Sequence, residues 1–263
     1  MSYFTIIMPN YNNANWLEKS IGSVTEQTFD DYRLMVVDDM STDGSYMKAV
    51  DLVGTKGMVI PNSEKRWNGG SRNEALLYAN GSKYTLFLDS DDWFASPHVL
   101  KLLHDFLEDH GEPSCTRLPY TIMHHGDETL PVMLNDNNAD KLCNSIFVAC
   151  WTKCVKSDLL VPFPENTLME DVVQHIAQCD VIDYDVAVFP EITVMHNRNN
   201  PNSCSIAENQ DLQHGKWQSS MFRYMADLLD LELEHDYCKR QRDWRADICL
   251  KNIKKGVYSQ SVD

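Results

Sequence analysis

The chain has no apolar run long enough to cross a bilayer; its apolar runs are strand-sized, such as Phe4–Met8. It also lacks the basic-then-apolar opening of an export leader, because an apolar strand-like run begins almost at once. A cytoplasmic location is the resulting expectation, with attachment to a membrane surface left open. Closely paired cysteines are missing as well. The eight cysteines are scattered without repeated short pairs, so they read as reduced, mostly buried thiols rather than a disulfide framework. Cys150 and Cys154 stand one helical turn apart, but no nearby His or Cys pair completes a zinc site.

Positive charge is scarce. Lys and Arg number 23 against 39 Asp and Glu, and a net charge of −16 argues against a general polyanion-binding surface. The deficit is uneven: residues 238–263 hold seven basic and three acidic residues, a local +4 that leaves −20 for the remainder. Arg240, Arg242 and Arg245 lie in that tail, which reads first as a solvated helix face and second as a patch for phosphate on lipid or nucleic acid. The remaining composition, 43% hydrophobic and 24% charged, is that of an ordinary globular protein.

The first hundred residues alternate strand-like and helix-like segments. Tyr3–Met8 reads as a strand ended by Pro9, and Leu17, Ile21, Val24 and Thr28 follow at helical spacing. Strands are then expected at Tyr32–Val37, Gly57–Ile60 and Tyr84–Leu88, with helices at Ser45–Val53 and Gly70–Asn80. Pro97 suits the start of another helix. Such alternation predicts an α/β protein with a mostly parallel sheet flanked by helices. Past residue 110 the pattern loosens. Short strands are expected at Ser114–Leu118, Thr129–Leu134, Val186–Phe189 and Thr193–His196, an apolar stretch at Ile146–Leu160, and a helix at Glu170–Cys179. The last fifty residues read as helical, giving one compact domain with a C-terminal helical extension.

Ligands of parallel sheets bind at the carboxyl ends of the strands. Three such ends carry unusual polar loads: Pro9-Asn10-Tyr11-Asn12, Asp38 to Gly44, and Asp89-Ser90-Asp91-Asp92. Three carboxylates within four residues repel one another unless something positive offsets them, and Mg²⁺ or Mn²⁺ shared with a diphosphate would do so. A solvated acidic turn is the simpler reading of the same residues. The first loop has no Gly-x-Gly-x-x-Gly, which disfavours a dinucleotide-binding fold. An aspartyl phosphatase is disfavoured by the missing Thr after Asp89-Ser90-Asp91.

Four blocks in order, TIIMPNYNNANWLEKSIGSVTEQTF, LMVVDDMSTDGS, GGSRNEALLYANGSKYTLFLDSDDW and FPENTLMEDVVQHIAQC, resemble the family 2 glycosyltransferases, which have the GT-A fold. The resemblance runs from about Phe4 to Ser205. It implies an inverting transferase that moves a sugar from a nucleotide-sugar, UDP most often, to an acceptor hydroxyl. Residues 1–205 would be the transferase domain, with 1–110 holding the nucleotide-sugar and 111–205 the acceptor; 206–263 would be the helical extension with its basic tail. By the same resemblance Pro9 and Tyr11 pack on the base, Asp39 reads its edge, Arg72 lies near the nucleotide and phosphates, and Asp89 faces the ribose. Asp91 would ligate Mn²⁺ or Mg²⁺, and Asp171 would be the general base. HNRNNPNSCS is similar to the family's tyrosine-rich segment, with His196 in place of the commoner aromatic residue as a further metal or diphosphate ligand, or as a supporting residue.

Inverting displacement at an anomeric carbon needs a proton acceptor for the incoming hydroxyl and stabilisation of the departing nucleoside diphosphate. Asp171 and Asp91 with Arg72 suit those tasks, although Glu170-Asp171 also simply favours a helix N-terminus. Two other classes fit less well: a catalytically silent nucleotide-sugar or protein-binding module, which would not need a base, and a nucleotidyltransferase, which would want a basic, glycine-rich first loop that is missing here. A glycan, a lipid-linked sugar or a hydroxyl-modified nucleic acid could be the acceptor. Trp93, Trp151, Trp217 and Trp244 are candidates for stacking on a sugar or base, or for packing.

Overall fold

A computed structural model describes residues 2–79, 81–124, 127–128, 132, 149–165, 169–182, 185–201, 203 and 226–254. Strands β1 (Phe4–Asn10), β2 (Tyr32–Asp38), β3 (Gly57–Pro61) and β4 (Tyr84–Phe87) alternate with helices α1 (Leu17–Thr25), α2 (Ser45–Val53) and α3 (Trp67–Leu76). Every residue of β1 is buried, as expected of a strand covered by helices on both faces. A seven-stranded sheet forms in the order β10-β6-β9-β4-β1-β2-β3, where β6 is Cys115–Arg117, β9 Lys153–Lys156 and β10 Val186–Val188. Only β9 runs antiparallel to its neighbours. Gly57 opens β3 where a Cβ would overlap the carbonyl oxygen of its register partner Leu34, so no larger residue fits that strand pairing.

Four shorter strands make a second sheet in the order β5-β11-β7-β8: Trp93–Phe94, Val194–Asn197, Tyr120–His124 and Asp127–Glu128. Helix α4 (Val99–Asp109) buries Val99, Leu100, Leu103 and Leu107 against the main core. Helix α5 (Glu170–Val181) packs with α6 (Asp236–Lys254) in a smaller core that includes Cys115, Val173, Ile176, Leu228 and Cys238. Among the described residues, Cys115, Cys150, Cys154, Cys179 and Cys238 are buried thiols, as read from their spacing. No helix of the described residues is long and apolar enough to cross a membrane.

Two boundaries differ from the sequence expectation for physical reasons. β1 continues through Pro9 to Asn10, in register with Val37 and Asp38 of β2. β4 pairs only as far as Ile7, and Leu88 donates its N–H to the Ile7 carbonyl at 3.0 Å. Pro9 faces that same side two residues on, so its missing donor falls beyond the ladder. α3 starts at Trp67, before the expected Gly70, because the Asp39 carboxylate on the β2 loop receives the first backbone N–H groups. Of the strand expected at Thr129–Leu134, Val132 forms a bridge with Tyr120; its other residues, like Trp217, lie outside the described set.

Candidate active site

The loops after β1 and β2 are tied together by amide and carboxylate groups. Asn10 donates through Nδ2 to Asp38 Oδ1 at 2.7 Å and to Ser45 Oγ at 3.1 Å, while Ser41 N–H donates to Asp38 Oδ2 at 3.0 Å. Asp43 accepts from Ser45 N–H and Ala14 N–H, both at 2.9 Å. Burial works to raise its pKa, but these donors overcome it and hold Asp43 below the usual carboxylate range. Asp38 is thus a loop staple, and its neighbour Asp39 turns the other way.

Asp39 is buried and fully engaged. Its Oδ1 accepts from Asn62 Nδ2 at 2.9 Å and from Arg66 N–H at 2.8 Å; its Oδ2 accepts from Trp67 N–H at 2.9 Å. Lys65 Nζ lies 3.0 Å from Oδ2 and also sits over the Tyr11 ring, 2.8 Å from its centroid. Tyr11 is 47% exposed, so its ring lies at the surface, linked to Asp39 through Lys65, while Pro9 is buried in β1. Neither Asn62 nor Lys65 stood out in the sequence; each lies more than twenty residues from Asp39.

Arg72, on α3, is buried and joins two carboxylates. Nη1 donates to Glu170 Oε1 at 2.6 Å, and Nη2 to Asp89 Oδ1 at 2.8 Å. Gly69 lets α3 come this close: a Cβ there would stand 2.3 Å from the Pro164 carbonyl oxygen and 3.2 Å from Glu170 Cβ. Burial opposes the Arg72 charge, yet the surrounding anionic groups, Asp89 and Glu170 among them, raise its pKa. Glu170, the helix-start neighbour of Asp171, is therefore the group through which Arg72 ties the start of α5 to the loop after β4. The 98-residue gap between Arg72 and Glu170 leaves no local sequence signal for this pair.

Beyond Asp89 the acidic loop divides its duties. Asp91 Oδ2 accepts from Asn200 Nδ2 at 2.7 Å. Burial and repulsion from Asp92 and Asp89 push the Asp91 carboxyl up to about 7, against the pull of Asn200 and His196. Asp92, fully buried, accepts from Asn197 N–H at 2.7 Å and lies 3.1 Å from His196 Nδ1. Burial disfavours the His196 charge, but the bond to Asp92 and the charges of Asp92, Asp89 and Asp91 raise its pKa overall. The His196 ring stacks on Trp151 with centroids 4.9 Å apart, and only 17% of its side chain is exposed. With Nδ1 turned to Asp92, Nε2 is the nitrogen left to meet a ligand. Asn13 completes the cluster, donating to Ser90 Oγ at 2.7 Å and accepting from Asn200 Nδ2 at 3.0 Å.

Asp171 occupies the first turn of α5. Burial raises its pKa; Arg72 and Lys153 pull it back, and Asp89 adds to the rise. Lys153, buried in β9, is itself lowered by burial, and neither it nor Glu170 was singled out as a site residue beforehand. No group of three His, Cys, Asp or Glu side chains is arranged to hold a metal ion among the described residues. The crowding of Asp89, Asp91 and Asp92 nevertheless fits a hard cation that takes one or two protein oxygens and completes its shell from a diphosphate. Of the described tryptophans, Trp93 lies under Lys19 Nζ at 3.4 Å, Trp151 packs in the core, and Trp244 is 56% exposed on α6. A cavity of about 860 Å³ opens at the other end of the sheet, lined by Tyr3, Ser82, Lys83 and Lys156, and holds none of the candidate residues.

Comparison with known proteins bears on the family and the fold. The sequence model of Glycosyl transferase family 2 matches residues 5–153. Over 93 residues, 35% of the chain, it is 39% identical to the Escherichia coli UDP-Glc:alpha-D-GlcNAc-diphosphoundecaprenol beta-1,3-glucosyltransferase WfgD, of which the match spans 36%. Residues 1–349 of S. aureus TarS, solved with UDP-GlcNAc, superpose with a TM-score of 0.67 at 20% identity, covering 92% of this chain and 70% of that one. Glucosyl-3-phosphoglycerate synthase from Mycobacterium tuberculosis, solved with Mg²⁺ and UDP, superposes with a TM-score of 0.57 at 16% identity, covering 86% and 79%. These two structural likenesses carry the GT-A fold.

Proposed function

The chain belongs to glycosyl transferase family 2, and from that premise we propose that it moves a sugar from a UDP-sugar to an acceptor hydroxyl with inversion. The observation that carries the reading is the Arg72 bridge, which joins the acidic loop after β4 to the start of α5. It holds a candidate leaving-group site, around Asp91, and a candidate base, Asp171, on one connected frame. The nucleotide half would be residues 1–110, where Tyr11 and Pro9 pack on the base, Asp39 reads its edge and Asp89 faces the ribose. Residues 111–205 would meet the acceptor, and 206–263 would be an extension to the transferase unit.

The chain's own groups have defined work in this scheme. Asp171 takes the proton from the acceptor hydroxyl as oxygen attacks the anomeric carbon, and burial makes it a stronger base than an exposed carboxylate. Arg72 keeps Asp89 and Glu170 in place while lying near the diphosphate. Asp91 would hold Mg²⁺ or Mn²⁺ together with diphosphate oxygens, and His196 supports that loop by orienting Asp92 or adds a further ligand through Nε2. When bound, the metal supplies positive charge to the departing UDP. The relative named for UDP-Glc and a diphosphoundecaprenol-linked sugar, and the TarS complex with UDP-GlcNAc, support a UDP-sugar donor and a lipid-linked or polymeric glycan acceptor. Such an acceptor would bring the protein to a membrane surface.

The test is donor hydrolysis without acceptor, across UDP-, GDP-, dTDP- and CMP-sugars with Mn²⁺ or Mg²⁺. Metal-stimulated release of UDP from one sugar is expected, falling at least about 100-fold in Asp91→Ala. No turnover of any donor and no donor binding by calorimetry would sink the enzyme reading and leave a silent module.

A further inference from the structure

One face of Tyr11, a ring that is 47% exposed, already carries a cation. Lys65 Nζ is 2.8 Å from the ring centroid, 3.0 Å from Asp39 Oδ2 and 3.2 Å from the Asp39 carbonyl oxygen, with the Trp67 ring at 5.6 Å. A base stacked on that face of Tyr11, the one beside Asp39, would lie in the volume that this ammonium occupies, because stacked rings sit only about 3.5–4 Å apart at van der Waals contact. The second side of the same problem is the carboxylate. Asp39 has roughly four lone-pair directions to offer. Asn62 Nδ2 and the backbone N–H of Arg66 take two on Oδ1, and Trp67 N–H and Lys65 take those on Oδ2.

These four donors differ in how easily they leave. Arg66 and Trp67 N–H open α3, so withdrawing them would unwind the helix that carries Arg72. Asn62 is buried and also donates to Ser71 Oγ at 3.0 Å. Lys65 is the flexible donor, with 31% of its side chain exposed and a four-carbon stem that can swing into water.

We propose that Lys65 closes the base platform through its contacts with Tyr11 and Asp39, and that a nucleotide enters by exchanging the Lys65 ammonium for its base. The base takes over both contacts at once: its π face covers Tyr11, and an in-plane N–H, as uracil presents, takes the Asp39 direction that Lys65 releases. The inference rests on the reading that Tyr11 and Asp39 hold the base. It adds a cost to binding that belongs to this chain's own side chain. The contact is a partly exposed cation–π pair plus an ion pair, so its removal should strengthen nucleotide binding by roughly three- to tenfold.

Calorimetric titration of the full chain with UDP, in wild type, Lys65→Ala and Lys65→Met, tests the exchange. Both variants should bind UDP more tightly, Met as well as Ala, because the charge and not the stem makes the contact. Equal or weaker binding in both would overturn the proposal, since it would place Lys65 on the bound nucleotide or nowhere near it. A second measurement stays with wild type: acetylation of Lys65, followed by mass spectrometry, should speed up when UDP saturates the protein. An unchanged or slower rate overturns the exchange. A wild type that binds none of UDP, GDP, CDP or ADP removes the donor reading together with this one, whereas UDP binding without gain in the variants removes only this one.

Discussion

The carboxylates after β2 and those around the β4 loop live under opposite conditions. Asp38, Asp39 and Asp43 are met by backbone N–H groups of loops and helix starts and by the amides of Asn10 and Asn62, with Lys65 added at Asp39, and Asp43 is pulled below its ordinary pKa. Asp92 is fully buried and Asp91 and Asp171 are partly so, all close to like charges, and loss of water lifts all three. The first set spends its charge on holding backbone in shape. The second keeps charge in reserve, and groups so placed gain most from a cation, a proton or a substrate.

Three substitutions break or sharpen that contrast. Asp171→Asn has the largest expected effect: transfer should fall by roughly 10²–10⁴-fold in kcat, with donor KM little changed. Because a base works only when deprotonated, and burial raises Asp171, wild-type kcat should fall as pH drops through that raised pKa. The decline should therefore begin above the region near pH 4 where an ordinary aspartate titrates, and the residual activity of Asp171→Asn should lack it. An acid limb shared by both proteins would assign the titration elsewhere.

Arg72→Met comes next. It leaves Glu170 buried beside Asp171 without its cation, and the loss should be about 3 kcal/mol in chemical denaturation. Adding Glu170→Gln to that variant should recover part of it, because a neutral amide removes the orphaned charge. If the double variant is no more stable than Arg72→Met, the pair is not the tie between α3 and α5. The smallest effect belongs to Asp43→Ala, at about 0.5 kcal/mol near neutral pH, for hydrogen bonds at an exposed loop. A lowered folded-state pKa stabilises above the unfolded value and is lost as pH falls through the folded one, so wild type and variant should converge in acid. A gap that persists in acid would mean that Asp43 acts by packing rather than by its charge.

Legibility followed the range of each interaction. Strands β1, β2 and β4 could be read because a parallel strand buried on both faces is a continuous apolar run, as in Leu34–Val37. The run Asp89 to Asp92 could be read because its carboxylates are adjacent in the chain. Asp38 and Asp39 could not be told apart, since their difference lies in partners at Asn10 and Ser45 for one and Asn62 and Arg66 for the other. Asn200 was passed over although it bonds both Asp91 and Asn13, because the second bond spans 187 residues. The two- to five-residue strands β5, β7 and β8 carry too few residues for a period-2 pattern to emerge.

The sheet order reverses between β1 and β4: β2 and β3 grow to one side, and β4 lies on the other. Pro9 marks where those two strands part, and the loops leaving them are laced back together by Asn13 to Ser90 and by Asn200 to Asn13. The Asn13–Ser90 bond joins two neutral groups, whereas Asn200 reaches the acidic loop through the Asp91 carboxylate. A crevice bordered by aspartates could be expected to gape or shrink as its charge changes, with pH, with salt or with the arrival of a cation. Amide and hydroxyl groups do not titrate in that range, so the Asn13–Ser90 bond is indifferent to all three and can keep the acidic loop at its address while Asp91 changes its charge.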